Sequence, residues 1–144
     1  SEVLIDRPKL VKGKRVLVIE DGPSLTHGGL REGAGAFIAK SLGANLIDPR
    51  PYAIGSYKEV FDKYQIGDVL PALGYSKIQL DELERIVNSI DCDAVVLGTP
   101  ANLTHLIRID KPVARVRLKA VDVEKPSLED ILKERLKNFK GRLN

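Results

Sequence analysis

The stretch Glu20-Asp21-Gly22-Pro23-Ser24-Leu25-Thr26-His27-Gly28-Gly29-Leu30-Arg31-Glu32-Gly33-Ala34-Gly35 gathers many of the residue types that can do chemistry in this chain. Glycines reach positive φ and let backbone N–H groups approach an anion closely. A helix starting behind such a loop aims its positive end at the same place. Ser24, Thr26, His27 and Arg31 add side-chain donors, so the spacing predicts a cradle for phosphate or carboxylate in which Gly28, Gly29 and Gly33 supply backbone N–H groups. The same residues also make plain turns and allow close helix–sheet packing. Glu20 and Asp21 repel an anion at this position. They make sense if Mg²⁺, held by Asp21, bridges them to it, if the substrate is cationic, or if they accept hydrogen bonds from the loop itself. His27 paired with Glu20 is the arrangement on which general acid–base catalysis would rest, weighed against a purely structural loop histidine.

Three more residues fall in loops of the same character. Asp48 stands 20 residues beyond Gly28, where a dinucleotide fold keeps its ribose-binding acid. The glycine spacing is not G-x-G-x-x-G, so a Rossmann-type dinucleotide site is the alternative reading. Arg50, in Asp48 to Ser56, and Thr99, in Gly98 to Asn102, add a cationic and a hydroxyl donor for a bound ligand. No G-x-x-x-x-G-K-[ST] occurs, so the chain alone has no Walker-type nucleotide cradle. Cys92 lies between Asp91 and Asp93, which raise its pKa and argue against a reactive thiolate. His105, in an apolar-spaced segment, reads as a packed or surface histidine.

These loops need elements to hold them. Val16-Leu17-Val18-Ile19 and Ala94-Val95-Val96-Leu97 are short apolar runs of the kind buried on both faces of a parallel sheet. Asn45-Leu46-Ile47-Asp48 is a further short strand, and Val69 to Leu73 another, with Pro71 arguing for an edge or an irregular segment. Ala34 to Leu42 reads as a helix closed by Gly43. Lys58 to Tyr64 reads as a short helix, and Asn102 to Ile107 as a brief one. Ser76-Lys77-Ile78-Gln79 has capping-box spacing ahead of Leu80, Leu83, Val87 and Ile90 at helical intervals. Val113 to Val121 alternates between basic and apolar residues, as an edge strand does. Ser127 and Asp130 begin a last amphipathic helix. Strands alternating with helices predict one three-layer α/β domain over residues 1–144, Rossmann-like, with a mainly parallel sheet of about five strands and helices on both faces. Ligands in such folds sit beyond the carboxyl ends of the strands.

Composition narrows the function classes. At 144 residues, 43% hydrophobic and 30% charged, the chain has the make-up of an ordinary globular domain. A net charge of +3 from 23 basic and 20 acidic residues is too small and too scattered to predict nucleic acid as a partner. The basic tail, Lys133 to Arg142, is interleaved with acids as on a solvated helix face. No apolar span and no signal-peptide core are present, which predicts a cytoplasmic protein that does not enter membranes. One cysteine, no methionine and no tryptophan fit a thermophilic source. The missing initiator methionine predicts a processed chain or a piece of a longer one.

Several strings carry a resemblance when taken together: Val18-Ile19-Glu20-Asp21-Gly22-Pro23 running into Thr26-His27-Gly28-Gly29 and Gly33-Ala34-Gly35, then Asp48-Pro49-Arg50-Pro51-Tyr52-Ala53-Ile54-Gly55-Ser56, Leu70-Pro71-Ala72-Leu73-Gly74-Tyr75 and Leu97-Gly98-Thr99-Pro100. From Lys14 to Leu132 the chain resembles the C-terminal domain of a prokaryotic, largely archaeal family of predicted P-loop GTPases, often labelled cyclic 2,3-diphosphoglycerate synthetase-like. The family usually has a methionine where Leu30 stands and an aromatic before Gly-Ala-Gly, where this chain has Arg31-Glu32. The resemblance implies a C-terminal module of a nucleotide-dependent protein, with GTP or ATP bound only by an N-terminal P-loop domain of the parent chain. The resulting expectation is a module that binds a phosphorylated or carboxylated small molecule at the glycine-rich loop. Its competitors are a self-sufficient enzyme built on His27 and a structural or homodimerisation module.

Overall fold

The computed structural model describes residues 2–119 and 135–136. Six strands form the sheet: β1 (Glu2–Ile5), β2 (Arg15–Asp21), β3 (Asn45–Leu46), β4 (Leu70–Ala72), β5 (Ala94–Leu97) and β6 (Val113–Lys119). Their order is β1-β6-β5-β2-β3, with β4 also pairing β2. β4 takes the Ile19–Asp21 half of β2, whereas β3 takes Arg15 and Val16. Every pairing is parallel except β1 on β6. The expected α/β architecture is therefore present, with one more strand than the roughly five anticipated.

The helices are α1 (Gly22–Thr26), α2 (Ala34–Ser41), α3 (Gly55–Lys63) and α4 (Lys77–Ser89). Alternating side chains of β2 and β5 go to opposite faces, as the period of a strand requires. Val16, Val18, Ala94 and Val96 meet Ala36 and Ala39 of α2 in one core. Leu17, Ile19, Val95 and Leu97 meet Leu83, Ile86 and Val87 of α4, with Tyr57 of α3, in the other. Burying both faces explains why these strands read as unbroken apolar runs: each fully buried side chain of this size stabilises the fold by about 1.5–3 kcal/mol, with no polar face to dilute the pattern.

The predicted ends are where local chemistry was strong. Gly43, at φ 72°, follows α2 and takes the left-handed conformation its position demands. Ser76 caps α4 by accepting from the Gln79 N–H at 3.3 Å. Three readings change. Pro23 near the start of α1 begins a single short turn of helix inside the stretch read as open loop. The expected helix over Asn102 to Ile107 is only a 3-10 turn, Leu103–His105. β6 is interior, because the unforeseen β1 covers its outer side. The predicted last helix lies outside the described residues apart from 135–136.

This topology has one switch point. β2 and β5 are neighbours, yet they hand the chain to opposite faces. After β2 it passes through α1 and α2, whose Leu25 and Ala36 join the α2-side core. After β5 it passes through Leu103 and Ile107, which join the α4-side core. The connections thus part at the carboxyl ends of β2 and β5 and leave a crevice between them, the place where open α/β sheets bind ligands.

Candidate functional site

The floor of that crevice is Glu20, near the end of β2 and 1% exposed. Its carboxylate is enclosed by the start of α2. Oε1 accepts from the N–H of Gly35 at 2.9 Å; Oε2 accepts from Ala36 at 3.2 Å and from Gly33. Three glycines make room for it. A Cβ on Gly35 would stand 2.5 Å from Oε1, one on Gly33 would stand 2.8 Å from Oε2, and one on Gly98 would overlap Oε1. Burial pushes the carboxyl above its usual range, although the three N–H groups pull the other way, and the charge of Glu32 adds to the rise. The N–H groups at the end of the glycine-rich loop are therefore already occupied, and by the protein's own carboxyl group.

Asp21 is half-buried beside it. Its Oδ2 accepts from the Ser24 hydroxyl at 3.0 Å, while the Thr26 hydroxyl is turned inward to the Gly22 carbonyl at 3.1 Å. Glu20, Asp21, Ser24, Leu30 and Gly33 line a cavity of about 300 Å³ closed by Ala34, Gly98 and Pro100. The last three residues also wall a second cavity of about 480 Å³, whose far side is Arg115, Val116 and Arg117. Ala34, Gly98 and Pro100 are thus shared by a cavity that Asp21 lines and a cavity that Arg115 and Arg117 line. Thr99 is buried behind them, its hydroxyl accepting from the Ala101 N–H at 3.4 Å.

Other candidates lie elsewhere. His27 is exposed just past α1, with no side-chain hydrogen bond among the described residues. It therefore does not contact Glu20, whose carboxylate is taken by the α2 N–H groups. Gly28 is needed because a Cβ there would stand 2.5 Å from the Ser24 carbonyl, and Gly29 because its φ is 69°. Asp48 and Arg50 bind each other at 2.9 Å. Arg50 also reaches Asp68 at 3.3 Å, bonds the Ile66 carbonyl and lies 5.2 Å over the Phe61 ring. That cluster borders a separate polar cavity of about 360 Å³, shared with Arg31, Glu32 and Lys40. One loop segment thus faces two cavities: Leu30 and Gly33 line the crevice, and Arg31 and Glu32 between them line the other.

Arg115 and Arg117 were missed as candidates because basic residues alternating along a strand read as the solvated face of an edge. Their signal is positional, since they lie toward the carboxyl end of the strand next to β5. Among the described residues, no group of three or more His, Cys, Asp or Glu is placed to hold a metal ion, and no helix is long and apolar enough to cross a membrane. His105 is exposed, its Nε2 3.3 Å from the Asn102 amide nitrogen, and burial raises the pKa of Cys92.

Over 140 residues, 96% of its length, the chain is 49% identical to a protein named arginine synthetase ArcE from the archaeon Thermococcus kodakarensis. It spans 31% of that protein, about a third. No family model matches the sequence, and no solved structure matches it.

Proposed function

We propose that this chain is the substrate-holding α/β part of a larger enzyme of the arginine synthetase kind, and that the crevice between β2 and β5 takes a carboxylated amino acid with a cationic or strongly polar side chain. The observation that carries this reading is the shared wall: Ala34, Gly98 and Pro100 belong both to the cavity that Asp21 and Ser24 line and to the cavity that Arg115 and Arg117 line. Arginine, for which the relative is named, has a carboxylate to meet the two arginines and a guanidinium to meet Asp21, the paired geometry in which such contacts are strongest.

Of the two ligand classes expected at the glycine-rich loop, the phosphorylated one is less favoured. The N–H groups of Gly33, Gly35 and Ala36 that would receive a phosphate already bond Glu20. A dinucleotide is less favoured for a parallel reason: the Asp48 carboxylate, which would bind its ribose, bonds both the backbone N–H and the guanidinium of Arg50. Ser24 and Asp21 are the side chains we assign to the ligand's cationic end. In this reading a nucleotide, GTP or ATP, is bound by a separate P-loop domain of the parent protein, which completes the site. A Mg²⁺ ion at Asp21 would take its remaining ligands from substrate or nucleotide oxygens, since the described residues offer no third carboxylate or imidazole.

The test is an NMR titration of this chain with L-arginine, with agmatine, which lacks the carboxylate, and with L-norvaline, which lacks the guanidinium. Amides at Asp21, Gly33, Gly98 and Arg117 shift with L-arginine, and each truncated analogue binds about tenfold more weakly, the worth of one charge-assisted hydrogen bond. Agmatine binding as tightly as L-arginine, or shifts confined to residues outside the crevice, would overturn the reading.

A further inference from the structure

A loop rich in glycine ahead of a helix ordinarily leaves its N–H groups open to an external anion. Here three of them converge on one internal carboxylate, which also touches the end of β5 through Gly98. Both oxygens accept, Oε1 from Gly35 and Oε2 from Gly33 and Ala36, so this one side chain takes up the three N–H groups at the start of the helix. Glu20 starts in β2, its bonds fix the start of α2, and its oxygen fills the space that any side chain at residue 98 would need. The two walls of the crevice belong to α2 and to the segment after β5, and this one side chain is the piece common to both.

We propose that Glu20 is a positioning residue: its carboxylate is a built-in anion around which the glycine-rich loop folds, and it sets the separation of the Ala34 and Gly98 walls that the crevice ligand requires. The inference rests on the proposed crevice ligand for its functional half. Its structural half, the anion cradle, is independent. Glu20 lines the floor of the crevice, but its oxygens are bonded to the loop rather than offered to the ligand. It acts through the N–H groups it holds, so what replaces it need only be a carboxylate of the right size.

That property gives the experiment. Glu20→Ala opens a space lined by the N–H groups of Gly33, Gly35 and Ala36, and formate carries the same two oxygens on one carbon. Titrating Glu20→Ala with sodium formate, against sodium chloride at equal ionic strength, shifts the amides of residues 33, 35, 36 and 98 and raises the melting temperature by several degrees, while the wild-type chain responds to neither salt. L-Arginine binding, weakened about a hundredfold by the substitution through lost positioning, recovers in formate but not in chloride. Glu20→Gln keeps the length and covers the case in which the alanine variant fails to fold. Its amide nitrogen faces donors it cannot satisfy, so it binds L-arginine weakly and formate does not rescue it.

If Glu20→Ala or Glu20→Gln binds L-arginine as the wild type does, the positioning role is overturned and the crevice reading stands. If Glu20→Ala folds but formate neither shifts the four amides nor raises the melting temperature, the cradle itself is overturned. If formate does both, yet even the wild type ignores L-arginine, the cradle holds, and the positioning role falls together with the crevice reading.

Discussion

Two glutamates in this chain sit beside glycines at the start of a helix, and they differ in depth and origin. Glu20 comes from the strand just before its own loop, is 1% exposed, and accepts three backbone N–H groups at the start of α2. Glu82 comes from α4 and reaches across to α3, where it accepts from the Ser56 N–H at 2.8 Å and from the Ser56 hydroxyl at 3.1 Å; a Cβ at Gly55 would collide with it. Both answer the same need, a negative charge at unpaired N–H groups. Glu20 does so in the floor of the crevice, between two loops that diverge. Glu82 does so in the contact between two helices that pack on the same face. The first seat joins parts of the molecule that topology separates, and the second reinforces parts that already touch. Losing Glu20 should therefore disturb function and fold together, whereas losing Glu82 should disturb only the local fold.

The sharpest way to break the comparison is to remove Glu20. Glu20→Ala leaves three buried donors without a partner and should cost about 4 kcal/mol, the scale for breaking a buried, hydrogen-bonded charge. Urea denaturation at neutral pH checks it, and a loss below about 1 kcal/mol would mean that water replaces the carboxylate without penalty. Gly98→Ala attacks the same seat from the other side. Its Cβ would overlap Glu20 Oε1 and stand 3.0 Å from the Gly35 nitrogen. Backbone has to move, at about 3 kcal/mol. In the double variant Glu20→Ala/Gly98→Ala the added methyl enters the space the carboxylate has left. The two losses should then sum to clearly less than their separate values, as coupled neighbours do.

How much of this was legible beforehand follows the range of each interaction. The buried strands, the Ser76 cap and the Gly43 stop are set by residues within a few positions of one another, and the sequence read them correctly. Glu20 was legible in part, because a carboxylate accepting from its own loop was one of four readings open to it, beside a Mg²⁺ bridge, a cationic substrate and acid–base pairing with His27; choosing among them needed the positions of Gly33, Gly35 and Gly98 together. Arg50 and Asp48 stand two positions apart and pair with each other, but in a loop each type reads equally well as a separate ligand contact. The basic end of the crevice was illegible because β1 was not foreseen. With four residues and no turn signal to frame it, Glu2–Ile5 offers little periodicity, and without it β6 reads as an edge and its arginines as protection against aggregation. Strand order, and with it the switch point, depends on which long-range pairings form and leaves no local trace.

The Glu82 seat is sharpened by its neighbour Tyr57, whose side chain is fully buried and whose hydroxyl has no hydrogen-bond partner among the described residues. Burial, with a smaller push from the Glu82 charge, outweighs the opposing pull of the nearby Leu73 backbone and takes the phenol up to about 12 from an ordinary value of 10. The folded state thus holds this proton more tightly than the unfolded chain. The stabilisation is complete below pH 10 and is lost as pH rises from there to about 12, by about 2–3 kcal/mol at 1.4 kcal/mol per unit. Tyr57→Phe removes the titration and, because the hydroxyl makes no bond, costs less than about 1 kcal/mol at neutral pH. Denaturation curves between pH 9 and 12 should show the wild type weakening relative to this variant; parallel curves would mean that the phenol is not held in the apolar core.

The smallest effect belongs to Glu82 itself. Glu82→Ala takes one acceptor from the start of a helix whose other contacts remain, so the loss should be about 1 kcal/mol, that of an N-cap. Amide exchange then discriminates between the seats. With Glu82→Ala the loss of protection stays at Ser56 and the next turn of α3, and L-arginine binding is unchanged. With Glu20→Ala it spreads from the start of α2 to residues 98–101, on a strand connection distant in sequence, because the carboxylate was the piece both walls shared. Equal spread from the two substitutions would show that the depth of a glutamate's seat, rather than what it joins, decides how far its loss is felt.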